Sequence, residues 1–140
     1  MAYTHYDKYL ESEVLTADPL KLVTMLYRAA IEAVGAARAH LAAGQIRERS
    51  RKIVKAWEIV NELRGSLDEE RGGEIGRSLR QLYAYMQGRL LEANARQQDA
   101  PLAEVEQLLG TLRQGWLAAA QQACAAIEEA EPYEPVRCTY

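Results

Sequence analysis

Apolar residues recur along this chain every three or four positions, first at Leu22, Leu26, Ala30, Val34, Ala37 and Leu41, with a second set at Val23, Tyr27, Ile31 and Ala33. That is the period of an α-helix that buries one face. Asp18 before Pro19 predicts the start, because the carboxylate can accept from free backbone N–H groups and proline needs none in the first helical position. Gly44 predicts the stop. A second stripe runs through Ile46, Ser50, Ile53, Val54, Trp57, Val60, Leu63 and Leu67, with Arg47, Arg49, Arg51, Lys52 and Lys55 mostly on the other side, and is expected to end near Gly72-Gly73. A third comprises Ile75, Leu79, Leu82, Tyr83, Met86, Leu90 and Ala93 and gives way to the polar run from Asn94 to Asp99. Asp99-Ala100-Pro101 then opens a fourth, with Leu102, Val105, Leu108, Leu109, Leu112, Trp116, Ala120, Ala123 and Ile127 at helical spacing.

Helices of roughly 33–43 Å, at ~1.5 Å per residue, joined by connections of a few residues must lie antiparallel to their neighbours. The predicted fold is all-α: an up-down-up-down four-helix bundle over residues 18–130. Outside it lie an N-terminal arm, residues 1–17, which carries Tyr3, Tyr6 and Tyr9, and an irregular acidic tail, residues 131–140. In and before that tail Glu128, Glu129, Glu131 and Glu134 repel one another, and Pro132 and Pro135 end regular structure, so the tail reads as disordered.

Composition supports the helical reading: 49% of the 140 residues are hydrophobic, Ala and Leu abound, and there are only 9 Gly and 4 Pro and no Phe. A sheet protein would need more turn residues and more aromatic and β-branched side chains. With 17 basic against 20 acidic residues the net charge of −3 argues against a nucleic-acid partner. The basic start of the second stripe is interleaved with Glu48, Glu58 and Glu62 and reads as a solvated face. No run approaches the ~20 apolar residues of a membrane span and the N-terminus lacks a signal-peptide layout, so we expect a cytosolic protein without membrane insertion. Cys124 and Cys138 have neither CxxC nor metal spacing and are expected to be free thiols.

Catalytic chemistry finds little support. A carboxylate-bridged metal centre would need Glu-x-x-His pairs, but the histidines are His5 in the arm and His40, with Ala37 three positions earlier. No phosphate loop, nucleophile elbow or cofactor signature is present, and an enzyme is not expected. His40-Leu41-Ala42-Ala43-Gly44 faintly resembles the His-x-Leu-Lys-Gly pattern of histidine phosphotransfer bundles, with Ala43 in place of the lysine. A phosphorelay role for His40 is therefore one alternative, and a helical adaptor for another secreted subunit is a second.

The apolar surplus points elsewhere. Leu22, Val23, Met25, Leu26, Tyr27 and Ile31 cover more than half of the first helix's circumference. Tyr83 and Tyr85, two positions apart, cannot both face one seam, so at least one tyrosine is expected on an outer surface. Such a surplus predicts an exposed apolar groove for a partner, which the arm could cover until the partner displaces it.

Three blocks resemble the flagellar export chaperone family called FliS. They are Tyr6-Asp7-Lys8-Tyr9 followed by Val14 to Pro19 and Leu22 to Tyr27; Leu82-Tyr83-Ala84-Tyr85-Met86 through Arg89-Leu90 to Ala93-Asn94; and Leu102 to Val105 through Leu112 to Trp116. At Ala84 the family commonly has an acidic residue. The resemblance implies a cytosolic antiparallel bundle, without cofactor or covalent chemistry, that binds the disordered C-terminal segment of flagellin. It implies further that the bundle blocks premature filament assembly and delivers the subunit to the type III export apparatus, whose gate components would be partners. Expected contact residues are Tyr6, Tyr9 and Leu10 of the arm, Leu22, Met25, Leu26 and Tyr27 of the first helix, and Tyr83, Tyr85 and Leu90 of the third. The oligomeric state, homodimer included, stays open.

Overall fold

The computed structural model describes residues 19–130. The arm, with Tyr6, Tyr9 and Leu10, and the tail, with Cys138, lie outside the described residues. Within them the chain forms α1 (Pro19–Ala42), α2 (Ile46–Gly65), α3 (Glu69–Arg96) and α4 (Asp99–Ala130). The fold is all-α. Each helix packs on the next, and α1 also packs on α4, which closes a four-membered ring. Cross-helix hydrogen bonds set the directions: Arg38 meets Asp99 while Trp116 meets Tyr27, so α4 runs antiparallel to α1.

The ends follow from local backbone chemistry. Gly44 adopts φ +71°, and the N–H groups of Gly44 and Gln45 donate to the carbonyls of Leu41 and His40 at 3.2 and 2.9 Å. This pair of reversed bonds satisfies carbonyls that the last turn of α1 leaves free. α3 outlasts the expected stop at Asn94 and runs to Arg96; Gln97, at φ 55°, takes the left-handed position, and Gln98 donates back to the Ala93 carbonyl.

The α2–α3 connection departs from the expected end near Gly72-Gly73. α2 ends at Gly65, and α3 begins at Glu69 behind Asp68, whose Oδ1 accepts from the backbone N–H groups of Glu70 and Arg71 at 3.1 and 3.4 Å. The apolar spacing continues through Leu67 even though the helix does not, because the turn keeps Leu67 packed against the core. The aspartate, which periodicity ignores, starts the next helix by satisfying its first donors. Gly73, at φ 54° and ψ −134°, then breaks the helical path inside α3.

All four helices build the core. Tyr27, Ala30, Ala33, Val34 and Ala37 of α1 meet Ile53, Ala56, Val60 and Leu63 of α2, Tyr83, Met86, Leu90 and Ala93 of α3, and Leu102, Val105 and Leu109 of α4. The alanines let α1 approach its neighbours closely, while the large side chains fill the space they leave. Trp57 and Trp116, expected in the core from their stripes, flank it half-buried.

Candidate partner groove

The start of α1, the end of α2, the start of α3 and the middle of α4 enclose an open cavity of about 300 Å³. Val23 contributes one wall, Leu63 and Leu67 a second, and Ile75 and Leu79 a third, with Tyr83 and Trp116 beneath. The break at Gly73 shapes this place. Upstream of it the Asp68-capped turn brings Asp68 and Arg71 to the rim; downstream, Gly76 lies buried beside the Asp68 carbonyl. Ile75, between the two, keeps 75% of its surface exposed. A β-branched apolar side chain so exposed at the lip of an apolar cavity is unfinished burial, which a partner can complete.

Beneath the groove three polar groups share one network. Trp116 Nε1 donates to Tyr27 Oη at 3.0 Å, and the hydroxyls of Tyr27 and Tyr83 hydrogen-bond to each other. Both tyrosines are fully enclosed. Burial pushes both phenols above their ordinary titration range, since the phenolate would lose its water; in Tyr83 the bond to Tyr27 adds to the rise and Trp116 opposes it, and in Tyr27 the bonds to Tyr83 and Trp116 reduce it. The network therefore stays neutral at physiological pH.

The other residues expected from sequence fall in different surroundings. Leu90 and Tyr27 are wholly inside the core, Met25 is nearly so, and Leu22 and Leu26 are half-buried on α1. Tyr85 is 49% exposed, the outward tyrosine that the two-residue spacing requires, and its hydroxyl donates to Glu104 on α4. Hydrogen bonding to this carboxylate raises its pKa. Of the expected residues that are described, Tyr83 alone lines the groove, where Val23, Leu67, Ile75, Leu79 and Trp116 join it. The signal that could have found them is the Asp68 cap and the glycine pair between Leu67 and Ile75, which turn two apolar stripes toward one cavity.

His40 sits in the last turn of α1 with Nδ1 2.6 Å from Gln45 Oε1. Among the described residues no group of three or more His, Cys, Asp or Glu is placed to hold a metal ion, and no helix is long and apolar enough to cross a membrane.

The family described as "Flagellar protein FliS" matches residues 2–123. The flagellar secretion chaperone FliS of Salmonella typhimurium is 40% identical over 108 residues, covering 76% of this chain and 80% of the relative. The flagellar secretion chaperone FliSB of Pseudomonas aeruginosa is 39% identical over 107 residues, covering 76% and 85%. The FliS of Bacillus subtilis is 31% identical over 116 residues, covering 83% and 86%.

Proposed function

The chain belongs to the FliS family of flagellar proteins, and from that premise we propose that it is a flagellar secretion chaperone whose groove captures the disordered C-terminal segment of flagellin. The family is a chaperone family and not an enzyme family. In this reading the segment lays apolar side chains into the groove as it folds, the helix-in-groove mode of recognition. Masking the segment blocks premature filament assembly in the cytosol, and the complex is handed to gate components of the type III export apparatus. Tyr6, Tyr9 and Leu10 of the arm, and Leu22, Leu26 and Tyr85 on the bundle surface, remain proposed contacts alongside the groove.

The observation that carries the reading is the open apolar cavity with Ile75 exposed at its lip. Ordering a disordered segment costs about 2–5 kcal/mol. At ~25 cal/mol per Å², roughly 100–200 Å² of extra apolar burial offsets that cost, an area that a few side chains seated in this groove supply. Ile75→Asp tests the reading: calorimetric titration with a flagellin C-terminal peptide should show at least about tenfold weaker binding, with the unfolding midpoint nearly unchanged because the side chain is exposed. Equal affinity in the variant and the parent would remove the groove from the contact surface.

A further inference from the structure

Among the described residues, the hydrogens beside the groove do not all find acceptors. Trp116 N–H donates to Tyr27 Oη, and a single hydrogen bond joins the hydroxyls of Tyr27 and Tyr83. That bond uses one phenolic hydrogen, and the other has no acceptor among the described residues. Tyr27, at 0% exposure, is not part of the groove wall, so a hydrogen left over there would be stranded in the core. Tyr83, 1% exposed, lines the groove. The arrangement without a stranded donor has Tyr27 donating to Tyr83 and Tyr83 turning its own hydrogen into the cavity.

The surroundings restrict what can accept it. Asp68 and Arg71, the charged groups of the lining, stand at the rim with 57% and 91% of their side chains exposed. Apart from these and Ser66 the side chains of the lining are largely apolar, Val23, Leu63, Leu79 and the Trp116 ring among them, so a carboxylate seated among them would lose its water for little countercharge. An amide carbonyl brings an acceptor without a charge.

We propose that Tyr83 is a specificity residue of the groove, its Oη donating to an amide carbonyl oxygen of the captured segment. This rests on the reading that the groove takes the flagellin C-terminal segment. The bond rewards a partner that pairs apolar side chains with one inward carbonyl, and a purely hydrocarbon occupant leaves the hydroxyl unsatisfied. The carbonyl belongs either to the segment's main chain or to an Asn or Gln side chain.

The test uses the full chain and a flagellin C-terminal peptide, comparing Tyr83→Phe with Tyr27→Phe. Tyr83→Phe should bind about tenfold more weakly. Tyr27→Phe also breaks the network and strands Trp116 N–H, but keeps the Tyr83 donor; its affinity should stay within about twofold even where its unfolding midpoint falls further. In the parent chain carrying tyrosine labelled at ¹³Cζ, hydroxyl exchange of Tyr83 should slow when the peptide binds. Replacing each Asn and Gln of the peptide by Ala separates the sources: loss of the Tyr83 effect at one position assigns a side chain, and its persistence throughout assigns the main chain. Unchanged binding by Tyr83→Phe, or equal weakening by the two variants, overturns the proposal while leaving the groove in place. Failure of the parent chain to bind the peptide overturns the groove reading and this one together.

Discussion

At the end of the bundle where α1 finishes and α4 begins, polar side chains tie the helices together. Arg38 grips Asp99 with two hydrogen bonds of 2.8 and 2.9 Å and lies 3.5 Å from Glu106. The buried Arg49 reaches Asn94 through its side chain and its carbonyl, at 3.3 and 3.4 Å, and Ser50 adds a 2.9 Å bond to the same amide. At the opposite end all four helices line an apolar cavity, and one of the two phenolic hydrogens beside it has no acceptor among the described residues. The first end is laced by hydrogen bonds and ion pairs between its helices; the second presents an open, largely apolar lining.

Three perturbations would break or sharpen this contrast. The largest is Tyr27→Ala, which removes a wholly enclosed ring where three helices meet and should cost about 3–5 kcal/mol by urea denaturation. A loss below about 1 kcal/mol would mean that the open end is not anchored through this ring. Next, Asn94→Ala takes the side-chain acceptor from the buried Arg49 and from Ser50, leaving the main-chain carbonyl, and should cost about 1–3 kcal/mol at the polar end, while peptide affinity at the groove stays within about twofold. Reduced affinity would show that the two ends are coupled more tightly than their separation suggests.

The smallest effect is in the pH dependence, where the ends should differ in sign. Tyr27 and Tyr83 bind their protons more tightly when folded than when unfolded. Their contribution is therefore complete below the ordinary phenol value of 10.0 and is lost as pH rises beyond it. Asp99 is the reverse case: the hydrogen bond from Arg38 lowers its pKa from 3.8, so its contribution is present above that value and lost as pH falls through the lowered one. With the Asp99 side chain half exposed, solvent screening keeps this term to a few tenths of a kcal/mol. Midpoints measured across pH should lose part of the alkaline decline in a Tyr27→Phe, Tyr83→Phe double variant, and only a slight acid decline in Asp99→Asn.

The fold was legible because its signals are redundant. Each of the four stripes spans several turns, so the helices and their order follow even where a boundary is misplaced. Boundaries set by one side chain were harder to read. Leu67 keeps the period of α2 after the helix has stopped, and Gln97 accepts a left-handed backbone without being glycine. The site was legible as an excess of apolar surface but not as a place. Spacing separates Tyr83 from Tyr85 but does not say which turns inward; that depends on Tyr27 and Trp116, 56 and 89 positions apart in the pairs they form.

Those separations bear on how the protein assembles. Contacts between consecutive helices can form early because little chain entropy is lost in closing a short loop, whereas the α1–α4 seam must join distant parts of the chain. The bond from Trp116 to Tyr27 belongs to that seam and so forms late. The groove is thus a product of completed folding: a chain cut before α4 lacks Trp116, and with it the bond to Tyr27 and one side of the cavity. Capacity to bind would then certify that the chaperone itself is finished.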